Sequence, residues 1–301
     1  MIGQRRGGAI GAIWVLLFLS WPVAANELGE LAKTGDVEGV ASLLDAGTAV
    51  DELDGGVSGL YIASERGHLE LAQLLIRRGA DVNLTVKLQR TPLYGAVKAG
   101  HSAVVKLLLD SGADPNKQAK LQTPLHVAAE NGCLQCVVDL VASGAEVNAL
   151  ISNGSPPIHF AKRNGHEDIV AYLLDHGAGP PPSAPISPLL ASADPAAGKQ
   201  AFDRICVSCH IATANEEMSK RPNLWGIVGR PKASESDVDY SLVLKSAGGD
   251  WTFEDLNAFI SHPALTLPGT TMTFAGVAEE RQRADLIAYL STLRDTPIAL
   301  P

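Results

Sequence analysis

Two thiols three positions apart, with a histidine directly after the second, carry the clearest chemistry in this 301-residue chain: Cys206-Val207-Ser208-Cys209-His210. Sulfurs one helical turn apart can reach one edge of a porphyrin and form thioether bonds to its two vinyl groups. The following imidazole then swings beneath the iron as proximal ligand. The spacing is that of a c-type haem attachment site. The same residue types also suit half of a structural zinc site or a redox dithiol. The other two cysteines, Cys133 and Cys136, lie in a differently patterned region and do not complete a zinc set with the first pair.

A covalent haem is attached to exported apoprotein outside the bacterial cytoplasm, so the N-terminus bears on the reading. Arg5 and Arg6 precede an almost wholly apolar run from Ala9 to Ser20, and Val23-Ala24-Ala25 offers small residues for cleavage before Asn26. Residues 1–25 are therefore expected to be a secretory signal, and the location the periplasm. An uncleaved anchor is the alternative, although the apolar run is short for a span. No later segment is apolar enough to cross a membrane, so no span is expected in the mature chain. With 24 basic and 33 acidic residues, nucleic acid is not an expected partner.

Residues 26–178 repeat with a period close to 33. Thr91-Pro92-Leu93-Tyr94 recurs as Thr123-Pro124-Leu125-His126 and, loosely, as Pro156-Pro157-Ile158-His159. Ala63, Ala96, Ala128 and Ala161 keep phase with these, as do Gly67, Gly100, Gly132 and Gly165. Each unit closes with Gly-Ala, at Gly79, Gly112, Gly144 and Gly177. The pattern resembles ankyrin repeats: a degenerate N-terminal cap over Glu27–Asp54, then four units. Thr-Pro caps and opens the first helix of a unit, and glycine ends it in a left-handed turn. A second helix, as in Val104, Val105, Leu107, Leu108 and Leu109, packs on its neighbour. The resemblance implies a protein partner bound through the stack, with Lys87, Arg90, Lys117 and Lys120 at tips that suit an acidic surface or are simply solvated. The repeated histidines read as structural. Cys133 and Cys136 sit at a helix start with Val137 where a haem site needs histidine. They read as small, partly buried repeat residues in preference to a redox dithiol, and a disulfide is geometrically open to them.

Residues 179–193 hold Pro180, Pro181, Pro182, Pro185 and Pro188 among Ser and Ala. A semi-rigid spacer is expected, reaching about 45 Å if extended, with modules that share no core.

From 194 to 301 the chain resembles class I cytochromes c, close to the mitochondrial type, so the whole is expected to be all-α: a helical solenoid followed by a small haem domain. Gly198 and Phe202 fall on a first helix, and Leu286, Tyr289 and Leu293 on one face of the last, Arg281 to Leu293. In the family these helices cross. Pro222-Asn223-Leu224 matches the loop whose proline carbonyl fixes the proximal imidazole. Met272, 62 residues after His210 in Pro268-Gly269-Thr270-Thr271-Met272, matches the loop that presents a thioether to the iron, whereas Met218 lies only eight residues after His210. The resemblance implies one covalent haem c on Cys206 and Cys209, axial ligands His210 and Met272, and propionate donors Arg230, Tyr240 and Trp251, with Ser241 as a further candidate.

Departures from the family carry information. Phe259 stands where a tyrosine is usual, Leu244 where an asparagine is, and Arg221 replaces a glycine before Pro222. The first two imply a drier pocket. Ile205, Ala264, Leu265 and Thr271 stand where lysines ring the haem edge, and residues 194–301 hold 10 basic against 14 acidic residues. Steering onto an acidic oxidase is therefore expected to be poor. Iron closed by histidine and methionine favours electron transfer between a redox donor and acceptor, not oxygen chemistry. The alternatives are a haem sensor or weak peroxidase with a labile Met272, and an electron-accepting subunit of a dehydrogenase complex.

Overall fold

A computed structural model describes residues 27–181, 184–214 and 221–301. The candidate signal at 1–25, Asn26 and Met218 lie outside the described residues. The first module is a stack of helix pairs. Glu27–Thr34 with Val37–Asp45 begins it, followed by Gly59–Arg66 with Leu69–Arg77 and Pro92–Ala99 with Ser102–Asp110. Pro124–Asn131 with Leu134–Ala142, then Pro157–Arg163 with Glu167–Asp175, complete it. A short antiparallel hairpin, Leu53–Asp54 with Val57–Ser58, joins the first pair to the second.

The repeated letters have physical counterparts. The Thr91 hydroxyl accepts from the Tyr94 amide at 3.2 Å, and Pro92 opens that helix where no amide is needed. Gly67 and Gly132 end their helices with φ of 77° and 76°, and a Cβ on either would run into His101 or His166 of the next unit. Ala63, Ala96, Ala128 and Ala161 are fully buried where first helices meet. One continuous apolar cluster runs from Leu28 to Ala178.

A ladder of asparagines, unremarked in the repeat pattern, ties unit to unit. Asn83, Asn116 and Asn148 each donate to the closing glycine carbonyl of the next unit, of Gly112, Gly144 and Gly177 respectively. Each also accepts an amide from that unit, of Asp114, Glu146 and Gly179. Backbone groups at the turns between units are satisfied this way.

The second module has its own apolar cluster around Phe202, Trp251, Leu256, Leu286 and Leu290. Helices Pro195–Ile205 and Glu280–Thr292 cross closely. A Cβ at Gly198 would overlap the Asp285 carbonyl, which explains the glycine, and the rings of Phe202 and Tyr289 lie 5.4 Å apart. Arg283 is 4% exposed, yet it donates to Asn257 Oδ1 and to the carbonyls of Val277 and Ala278. That buried guanidinium is held by oxygens on each side.

The spacer is shorter than its prolines imply. Ile186 and Leu190 are buried in the second module's cluster, with a helical turn at Ser187–Leu190. Glu254 accepts from the amides of Ile186 and Ser187, and Asn257 donates to the Ala184 carbonyl. Residues 186–193 therefore pack as part of the second module, because two apolar side chains gain more from burial than proline stiffness costs. Nor do the modules stand clear of each other. The turn Pro263–Thr266 lies against the helix Pro157–Arg163 of the terminal repeat. Ala264 and Leu265, expected on an open haem edge, are 1% and 4% exposed.

Candidate haem site

The helix Pro195–Ile205 ends at Cys206, whose amide donates to Phe202 O at 2.8 Å, and the His210 amide donates to Cys206 O at 2.9 Å. This turn puts Cys206, Cys209 and His210 on the wall of one cavity of about 530 Å³. Pro222, Arg230, Tyr240, Trp251 and Met272 line the same cavity, so eight of the nine candidates singled out in the sequence come together. Its remaining wall is largely apolar, with Leu244, Phe259 and Leu286 among the contributors. Ser241 instead caps the helix Leu242–Ala247, its hydroxyl accepting from the Leu244 amide.

His210 Nδ1 lies 3.2 Å from the Pro222 carbonyl. A carbonyl only accepts, so Nδ1 carries the proton and Nε2 keeps its lone pair. Burial lowers the pKa of the ring, against the opposing pull of that hydrogen bond. A neutral imidazole with a free Nε2 is what a metal ligand requires. Burial also pushes the Cys206 thiol up to about 11. A redox dithiol works through a sulfur of depressed pKa, so this environment disfavours that reading. Among the described residues no group of three His, Cys, Asp or Glu side chains is placed to hold a metal ion. Met272 follows Gly269, whose φ is 92°, and its amide donates to Thr270 Oγ1 at 3.3 Å.

Glu235 is the residue that sequence reasoning missed. Its carboxylate accepts from Arg230 Nη1 at 3.0 Å, Tyr240 OH at 3.1 Å and the Asn223 amide at 3.1 Å. Its place midway between Arg230 and Tyr240, five residues from each, was the available signal. Arg230 and Tyr240 are thus already paired with a carboxylate of the chain itself. Trp251 lines the cavity with Lys232 Nζ 5.4 Å from its ring centroid.

A family model described as cytochrome c matches residues 195–294, and models described as ankyrin repeats match residues 28–119 and 125–174. A cytochrome c homolog of Bradyrhizobium diazoefficiens is 40% identical over 126 residues, covering 42% of this chain and 68% of that protein. The chain belongs to the cytochrome c family. This cytochrome c carries its ankyrin repeats ahead of the haem domain. It is also 40% identical over 97 residues to a Theileria annulata cytochrome c, covering 32% of this chain and 84% of that protein. With cytochrome c-type cyt cy of Rhodobacter capsulatus it shares 35% identity over 114 residues, 38% of this chain and 56% of that protein. Of the Rickettsia cytochrome c homologs it spans about half the length. The domain implies a haem c cofactor and an electron carrier. The residues present suit that group: an apolar cavity of cofactor size, a neutral imidazole with its lone pair free, and two thiols on one wall.

Proposed function

We propose that the chain is a periplasmic single-electron carrier with one covalent haem, docked to a protein partner by its ankyrin stack. The observation that carries this reading is the shared cavity of Cys206, Cys209, His210 and Met272, with His210 oriented by Pro222. When bound, the haem supplies an iron that cycles between ferric and ferrous. Cys206 and Cys209 would hold it by thioether bonds. His210 and Met272 would hold the iron, and the methionine sulfur would favour its reduced state. Arg230, Tyr240 and Trp251 would donate to its carboxylates, and the apolar wall would keep water from the metal.

Docking through the repeat tips is supported by Leu88 and Leu121, 64% and 67% exposed at equivalent tips. Both hold left-handed backbone, with φ of 63° and 72°, and are flanked by Lys87, Arg90, Lys117 and Lys120. An acidic protein with an apolar contact patch fits that surface. Among the described residues no helix is long and apolar enough to cross a membrane. Expression alongside a haem-attachment system, followed by cell fractionation and intact mass of the denatured chain, tests the reading. It predicts a periplasmic chain carrying the mass of one haem. A haem-free chain, or one retained in the cytoplasm, contradicts it.

A further inference from the structure

Equivalent histidines in the last two repeats make different bonds. His126 Nε2 lies 3.1 Å from the Ser155 carbonyl of the following unit, while its Nδ1 serves Thr123 at the cap of its own helix. His159 has no following unit, and Pro156 replaces the threonine, so no cap hydroxyl reaches its ring. Its Nδ1 instead accepts the amide of Gly269, in the haem module, at 3.1 Å. An amide only donates, so Nδ1 is the unprotonated nitrogen. His159 is 4% exposed, and its burial, helped by Arg163, takes its pKa down to about 4, so the ring is neutral and able to accept.

The contact continues on the other side of Met272. A Cβ on Gly154, in the loop leading into the terminal repeat, would fall 2.5 Å from Ala275 Cα. A Cβ on Gly269 would fall 3.1 Å from Lys162 Cγ. The repeat module thus touches the Met272 loop three residues before the methionine and three residues after it. Ala264 and Leu265 are buried beside the same helix. Solenoid ends need a cover, and here the haem module supplies it.

We propose that the terminal ankyrin unit braces the loop carrying Met272, with His159 as the positioning residue. The brace opposes the loop movement that would take the sulfur off the iron. It links whatever binds the stack to the closure of the haem's distal side, and it withdraws the Ala264–Leu265 patch from redox partners. The inference rests on Met272 being the axial ligand.

The test uses the full-length holoprotein, its His159→Ala variant and the conservative His159→Asn, whose Oδ1 can accept the same amide. Cyanide binding to the ferric form reports release of the sulfur. His159→Ala is expected to bind cyanide roughly five to ten times faster, the size of one lost buried hydrogen bond, and His159→Asn to restore most of the difference. Hydrogen exchange of the unmodified chain needs no variant: the Gly269 amide should exchange slowly, and quickly in His159→Ala. Unchanged cyanide kinetics in both variants, or a fast-exchanging Gly269 amide in the unmodified chain, overturns the brace. Absence of methionine ligation in the unmodified protein would instead overturn the reading on which it rests.

Discussion

The chain holds the Cys-x-x-Cys spacing twice, and the two copies end in different chemistry. Cys133 caps the helix Leu134–Ala142, its sulfur accepts from the Cys136 amide at 3.3 Å, and the pair is joined as a disulfide across Cα atoms 5.3 Å apart. The expectation of two plain repeat cysteines gives way to that bond: a helix start folds the pair back on itself within one turn. Cys206 and Cys209 lie at a helix end and are not joined to each other. They face a cavity, with His210 next in line. Spacing alone does not choose between these outcomes. The neighbouring residue, the side of the helix on which the pair falls, and the space in front of it do.

The contrast can be broken most severely by mutation. Replacing Cys206 and Cys209 with serine should abolish covalent haem, while the same change at Cys133 and Cys136 should leave haem content unchanged. Haem staining after denaturing electrophoresis reads both, and loss of haem from the second variant would erase the distinction. The smaller arm is stability. Opening the Cys133–Cys136 link should cost the repeat module about 2 kcal/mol, seen as a lower unfolding midpoint that reductant reproduces in the unmodified chain.

A subtler effect in the repeat module lies in pH. Burial takes both His126 and His159 down to about 4. Their unfolded values lie near 6.5, so between the two the unfolded chain binds more protons and stability rises with pH. The repeat module should therefore hold its full stability above about pH 6.5 and lose it progressively as pH falls toward 4. A His126→Asn variant should show a shallower decline. A repeat-module unfolding midpoint flat from pH 7 to pH 4 would contradict this.

How much of this was legible follows from how local each signal is. Thr91-Pro92, Gly100 and the buried alanines announce helix pairs because caps and close approaches use residues next to each other in sequence. Cys206 to His210 is one turn, and Pro222 and Met272 stand in short loops with recognisable letters. The brace was not legible: His159 and Gly269 are 110 residues apart, and Pro156 reads as a worn copy of the repeat, not as the change that frees a ring nitrogen. Ile186 and Leu190 were hidden by the prolines around them, which dominate composition but not burial. Glu235 was overlooked because the donors Arg230 and Tyr240 were assigned to a group outside the chain. The asparagine ladder was visible in the regular placing of Asn83, Asn116 and Asn148, and needed only its bonding partners.

The central claim is an iron closed on both faces, His210 on one and Met272 on the other. The absorption spectrum of the full-length holoprotein tests it most directly, read in the ferric form and then in the ferrous form under carbon monoxide. The account predicts a ferric charge-transfer band from methionine sulfur and a ferrous spectrum that carbon monoxide leaves unchanged. A five-coordinate iron, or ready carbon monoxide binding, would contradict it.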